Sequence, residues 1–158
     1  MNIGDKFPDL LGKDADGNDV RLSDFPEKNF IIYFYPKDST PGCTAEACSL
    51  SEGYGLLSKM GYQVIGVSKD SAASHQKFAA KYSLPFPLVA DTELTLCNLA
   101  GVWRKKKMAG REYFGIVRTT FVTDPQGTVT DIIKKVNTKE AATQLVELLN
   151  GRNNPNPA

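Results

Sequence analysis

The apolar residues of this chain fall into short runs separated by polar, Gly- and Pro-rich punctuation, and the period changes between runs. Phe30-Ile31-Ile32-Tyr33-Phe34-Tyr35 and Tyr62-Gln63-Val64-Ile65-Gly66-Val67 are short and rich in β-branched or aromatic residues, which predicts buried strands. Phe86 to Ala90 predicts a short extended run. Phe114 to Thr123 predicts a strand, paired with Thr128 to Val136 across an Asp124-Pro125-Gln126-Gly127 turn. Helical spacing runs from Cys43 to Lys59, with Gly53 and Gly55 weakening the middle and Gly61 as the stop. A second helix is expected from an Asp70 cap through Phe78 and Tyr82 to Pro85. Asp91 is expected to cap a third, carrying Leu94, Cys97, Leu99 and Val102. A fourth covers 139–149, with Ala142, Leu145, Val146 and Leu149 on one side. Near the start, Asp16-Gly17 between apolar flanks suggests a small hairpin within 10–22.

Strand and helix alternate in the first half, whereas the second half ends in a hairpin and a closing helix. This order predicts an α/β fold, a mixed central β-sheet with helices on both faces, in the thioredoxin-like arrangement. With 158 residues, 1–150 are expected to form a single domain, and the Asn- and Pro-rich tail at 151–158 is expected to be disordered.

Composition narrows the possible partners. The 19 basic and 18 acidic residues nearly cancel, which argues against nucleic acid or an anionic membrane as the main partner. The local cluster Arg104-Lys105-Lys106-Lys107 is expected to be a solvated loop or edge. No apolar run approaches the roughly 18 residues that a membrane span needs. Met1-Asn2-Ile3-Gly4-Asp5-Lys6 lacks the features of an export signal, so the expected compartment is the cytoplasm. Three cysteines make a poor disulfide framework, which favours reduced, reactive thiols. With one histidine, His75, and no C-x-x-C pair, no metal site or cofactor is expected, and His75 is expected at the surface.

The densest chemical signal is Pro36-Lys37-Asp38-Ser39-Thr40-Pro41-Gly42-Cys43-Thr44-Ala45-Glu46-Ala47-Cys48. It follows a buried strand, turns through Pro and Gly, and sets a cysteine where a helix opens. Unpaired N–H groups and the positive dipole end at such a place favour a thiolate, and a second cysteine follows five residues later. This pattern points to redox chemistry rather than packing.

Pro36, Thr40, Cys43 and Glu46 match the peroxiredoxin pattern P-x-x-x-T-x-x-C-x-x-E, and the local version resembles the bacterioferritin-comigratory, or Q-type, class. The resemblance extends to Gly101-Val102-Trp103 and to Arg118-Thr119-Thr120-Phe121-Val122-Thr123-Asp124, covering about residues 3–150. It implies a thiol peroxidase that acts on hydrogen peroxide and organic hydroperoxides and is recycled by thioredoxin or a similar dithiol. Cys43 would be the peroxidatic cysteine and Cys48 the resolving one. Thr40 would hydrogen-bond thiolate and peroxide, and Arg118 would stabilise thiolate and transition state. Pro36 would shield the sulfur from water, and Glu46 would belong to the network behind it. Members of the class are often monomers, which sets the expectation here.

Elementary chemistry sharpens this reading in two ways. Lowering any thiol pKa from about 8.5 to about 6 raises the thiolate fraction at pH 7 roughly thirtyfold. The accompanying loss of nucleophilicity returns roughly tenfold, so most of the acceleration must come from donors aimed at the breaking O–O bond. Arg118, Thr40 and the N–H groups at Gly42 and Cys43 are the candidates. On strand 114–123, alternation would place Arg118 on the face of Ile116 and Val122, where a buried guanidinium needs a partner. Secondly, residues five apart on a continuous helix have Cα atoms about 8.6 Å apart and point about 140° away from each other. A disulfide needs about 7 Å or less. Oxidation is therefore expected to rearrange residues 43–50.

Two other functions fit parts of the sequence. A thioredoxin-type dithiol oxidoreductase would want C-x-x-C, which is absent. A redox sensor with a 43–48 switch would oxidise once rather than turn over. Cys97, among Leu94, Leu99 and Val102, reads as a buried inert thiol.

Overall fold

The computed structural model describes residues 1–153. The chain opens with a small hairpin, β1 (Leu10–Lys13) and β2 (Asp19–Arg21). Then follow β3 (Asn29–Phe34), α1 (Pro41–Lys59), β4 (Tyr62–Ser68), α2 (Ala72–Tyr82), β5 (Leu88–Ala90) and α3 (Thr95–Ala100). The second half holds β6 (Trp103–Met108), β7 (Arg111–Ile116), β8 (Thr119–Thr123), β9 (Val129–Ile133) and α4 (Ala141–Asn153). Residues 154–158 of the expected tail lie outside the described residues.

The central sheet has the order β5-β4-β3-β8-β9. Its first three strands are parallel, and β8 and β9 join antiparallel, giving the expected mixed sheet of a thioredoxin-like fold. β3 lies in the middle, and its unbroken apolar run reflects burial on both faces. Phe30, Ile32 and Phe34 face a core closed by α3 and the N-terminal segment. Ile31, Tyr33 and Tyr35 face a second core closed by α1, α2 and α4.

Several local expectations change. The expected strand 114–123 is broken: β7 ends at Ile116 and β8 begins at Thr119. Ile116 packs in the first core and Val122 in the second, so alternation does not carry across the break and Arg118 sits on neither strand. The basic cluster is a strand, β6, paired with β7 in a separate two-stranded arm. α2 is capped by Ser71, which accepts from the Ser74 N–H, because the Asp70 carboxylate is bonded to the Asp38 N–H instead. α2 ends at Tyr82, with Ser83 in the left-handed region, before Pro85 is reached. Asp91 serves α3 as expected, accepting from the Leu96 and Cys97 N–H groups at 3.1 and 2.8 Å.

Candidate active site

α1 begins two residues before Cys43, with Thr40 at the N-cap position and Pro41 in its first turn. Proline suits this place because it has no N–H to leave unpaired and its φ is already helical. The first intrahelical bond runs from the Thr44 N–H to the Thr40 carbonyl at 2.8 Å. Helix geometry therefore leaves the Gly42 and Cys43 N–H groups without intrahelical acceptors at the positive end of the helix. Cys43 is buried, with 2% exposure, on the side of α1 that packs against the second core.

Glu46 follows Cys43 by three residues and so lies on the same helix face. It is fully buried. Arg118 reaches both from the break between β7 and β8. Its Nη1 donates to Glu46 Oε1 at 2.6 Å and its Nη2 to Cys43 Sγ at 3.2 Å. The planar fork thus ties the sulfur to the carboxylate, a geometry that a lysine's single ammonium would not reproduce. The backbone just before Arg118 is held in place, since the Val117 N–H bonds to the Val102 carbonyl at 2.8 Å.

The pocket behind the sulfur is short of partners. Glu46 Oε2 and the Tyr33 hydroxyl are buried with no hydrogen-bond partner among the described residues. Burial pushes the Glu46 carboxyl up to about 7, and the Arg118 charge and hydrogen bond only partly oppose it. Burial also raises the Tyr33 phenol well above its ordinary range, with Glu46 and Cys43 adding to the effect.

Thr40 differs from the expectation. Its Oγ1 donates to the Lys37 carbonyl at 2.8 Å, so its proton is engaged within the loop rather than at the sulfur. Pro36 lies half-buried in the same loop. Cys48 is half-buried and Cys43 buried on one continuous helix, and both are free thiols. Cys97 is buried, with its thiol pushed far up by burial and by the neighbouring Asp91.

Other residues at the site were not expected. Lys106, within the basic cluster, is half-buried, and its Nζ donates to the Ile116 carbonyl at 2.8 Å. Burial and the nearby Arg118 charge hold its ammonium below the usual lysine range, while Cys43 opposes them. Arg104, Lys105 and Lys107 are exposed, as expected for most of that cluster. His75, expected at the surface, is fully buried, with Nδ1 at 2.7 Å from Asp38 Oδ2 and Nε2 at 3.0 Å from the Val89 carbonyl. The signal for it was present: His75, Phe78 and Tyr82 are spaced three and four apart, on one helix face. Among the described residues, no helix is long and apolar enough to cross a membrane.

Residues 3–132 match the AhpC/TSA family. The chain is 42% identical over 149 residues to peroxiredoxin Bcp of Bacillus subtilis, covering 94% of this chain and 95% of that one. It is 37% identical over 138 residues to peroxiredoxin Bcp of Escherichia coli, covering 87% and 88% of the two chains. Among solved structures, a cysteine-to-serine variant of PrxQ from Xylella fastidiosa superposes with a TM-score of 0.87 at 31% identity, covering 97% and 98%. The bacterioferritin comigratory protein of Xanthomonas campestris, described for its alkyl peroxide reduction, gives 0.82 at 34% identity over 94% and 99%.

Proposed function

Because the chain belongs to the AhpC/TSA family of peroxiredoxins and is a peroxidase, we propose that it reduces hydrogen peroxide and organic hydroperoxides through Cys43, with Cys48 resolving. The observation that carries this is the Arg118 fork, which holds the Cys43 sulfur and the buried Glu46 together. The Cys43 thiolate attacks the distal peroxide oxygen, the O–O bond breaks, and the leaving alkoxide takes a proton to depart as alcohol or water. The sulfur is left as sulfenic acid. Arg118 and the Gly42 and Cys43 N–H groups face the charge that develops along this path. Thr40, with its proton on the Lys37 carbonyl, offers lone pairs to the incoming hydroperoxide O–H. Pro36 limits water at the sulfur, and Glu46 orients the guanidinium.

The Cys48 thiol then attacks the sulfenic sulfur, releasing water and forming the Cys43–Cys48 disulfide. A thioredoxin-type dithiol reduces it by exchange and becomes a disulfide itself. The continuous helix through both cysteines supports the expected unwinding of residues 43–50 in this step. We read the protein as a cytoplasmic monomer that protects against oxidative stress.

The test is peroxide-dependent NADPH oxidation with thioredoxin and thioredoxin reductase. Wild type should turn over and Cys43→Ser should not. Cys48→Ser should form one trappable sulfenic acid and then stop. Turnover by Cys43→Ser, or a single stoichiometric oxidation in wild type, would overturn the reading, the latter in favour of a sensor.

A further inference from the structure

The loop of residues 35–40, between β3 and α1, carries one buried charged side chain, Asp38, whose contacts are made with α2 and the strand ends. Asp38 Oδ1 accepts from the Tyr35 hydroxyl at 2.6 Å, and Oδ2 from the Ser74 hydroxyl at 2.8 Å. Oδ2 also faces His75 Nδ1 at 2.7 Å, and the Asp38 N–H donates to Asp70 Oδ2 at 2.8 Å. Ser68 donates to that same Asp70 oxygen.

Proton accounting fixes the character of the cluster. The Val89 carbonyl can only accept, so His75 Nε2 carries a proton. Nδ1 faces Oδ2, which also accepts from the Ser74 hydroxyl, while the Tyr35 hydroxyl serves Oδ1, so a second proton lies between Nδ1 and Oδ2. Hydrogen bonds from His75, Tyr35 and Ser74 outweigh burial and keep the Asp38 carboxyl below its ordinary range. Asp38, Asp70 and His75 are residue types that bind metals. Two ligand atoms of a tetrahedral zinc, however, stand about 3.3 Å apart. The 2.7 Å between Nδ1 and Oδ2 fits a shared proton.

The chain therefore enters the site from a fixed point. Directly after Asp38, Ser39 takes φ +64°, in the left-handed region. Thr40 and the first turn of α1 follow. The segment around Cys43 is held upstream by Asp38 and His75 and downstream by Arg118 and Glu46. Only the downstream hold touches the sulfur; the upstream hold fixes where the chain enters the first turn, and so favours the conformer in which that turn is wound.

We propose that His75 and Asp38 are a positioning pair for the peroxidatic segment: their buried contact anchors the loop of residues 35–40, favours the wound state of Cys43, and sets how its sulfenic acid partitions between disulfide and over-oxidation. The inference rests on the peroxidatic role of Cys43. Over-oxidation needs the wound site, where a second hydroperoxide transfers oxygen to Cys43–SOH, giving Cys43–SO2H and alcohol. Disulfide formation needs the unwound one.

Rapid-quench mass spectrometry on the full chain separates the steps. In His75→Gln, the second-order rate of sulfenic acid formation should fall about tenfold, the scale of a misplaced reacting group. Disulfide formation from that sulfenic acid should be as fast or faster, and sulfinic acid per turnover should drop severalfold. Asp38→Asn, which keeps the shape and removes the charge, should shift the same quantities in the same directions and serves if His75→Gln does not fold. Unchanged partitioning, or all steps slowed in proportion, would overturn the proposal. A second readout is independent of peroxidase activity: two low-field imidazole N–H resonances from His75 in wild type, one of them lost in Asp38→Asn. Their absence would also overturn it. If wild type forms no sulfenic acid, the function has failed instead, and the resonances still report on the pair.

Discussion

A Cβ placed on Gly42 would lie 3.2 Å from Arg118 Nη2, so the guanidinium passes over the helix start at the one side chain that leaves it room. Gly42→Ala should push the guanidinium aside by a few tenths of an ångström, away from the 3.2 Å contact with Cys43 Sγ. The rate of sulfenic acid formation should fall by about three- to tenfold, since misplacement by a full ångström costs about a hundredfold. Stability should stay within about 0.5 kcal/mol, because the change is local and alanine favours the helix. Stopped-flow oxidation beside urea denaturation checks both, and an unchanged oxidation rate would show that the fork does not act through the sulfur.

The two glycines later in α1 have separate consequences. The sequence marks both as weak points, yet α1 runs unbroken from Pro41 to Lys59. A Cβ on Gly53 would come within 2.4 Å of Ala142 Cβ, so this glycine is where α4 crosses closely. A Cβ on Gly55 would meet nothing within 4 Å. Gly55→Ala should stabilise the protein by about 0.5–1 kcal/mol through helix propensity. Gly53→Ala gains the same propensity but overpacks the crossing by about 1–3 kcal/mol, so it should be destabilising or at best neutral. Urea midpoints that move together for both variants would contradict the close crossing.

How far the sequence reached depends on how local each signal is. Cys43 and Glu46 are three residues apart on a predicted helix, so their shared face was readable from spacing alone. Arg118 was found by resemblance, but its position was misread, because strand alternation was carried through the break at Val117 and Arg118. β6 was hidden by its own composition. Arg104 to Lys107 pair with β7 in an arm that packs little core, so no apolar alternation announces them. Asp38 and His75 are 37 residues apart and become a pair only once β3 and α2 pack together. Pairing across the fold is a tertiary fact, and only the apolar face shared by His75, Phe78 and Tyr82 hinted at half of it.

Glu46 makes stability depend on pH in a defined direction. Its carboxyl is raised from 4.5 to about 7 in the folded protein, with burial as the main cause. Between these values the folded protein keeps a proton that the unfolded chain has released. Its stabilising effect is complete below pH 4.5 and is lost as pH rises through about 7. Wild type should therefore lose stability relative to Glu46→Gln across this window, by up to about 1.4 kcal/mol per pH unit. Denaturation of the two reduced proteins from pH 4 to 8 measures the difference. Parallel curves would mean that Glu46 titrates normally.

Removing Arg118 has two effects that a second substitution can separate. Arg118→Met takes away the donor at the sulfur, and loss of one such donor typically lowers a rate about 10²–10³-fold. It also leaves the buried Glu46 carboxylate without its 2.6 Å partner, so stability at pH 8 should fall by about 3 kcal/mol or more. Adding Glu46→Gln removes the stranded charge. The double variant should regain most of the stability at pH 8 and none of the oxidation rate. Arg118→Lys should be nearly as slow as Arg118→Met, because one ammonium cannot hold Glu46 Oε1 and Cys43 Sγ together in the geometry of the fork. If the double variant recovers rate along with stability, Arg118 acts by holding the fold. If the rate stays low while stability returns, its contribution belongs to the reaction at Cys43.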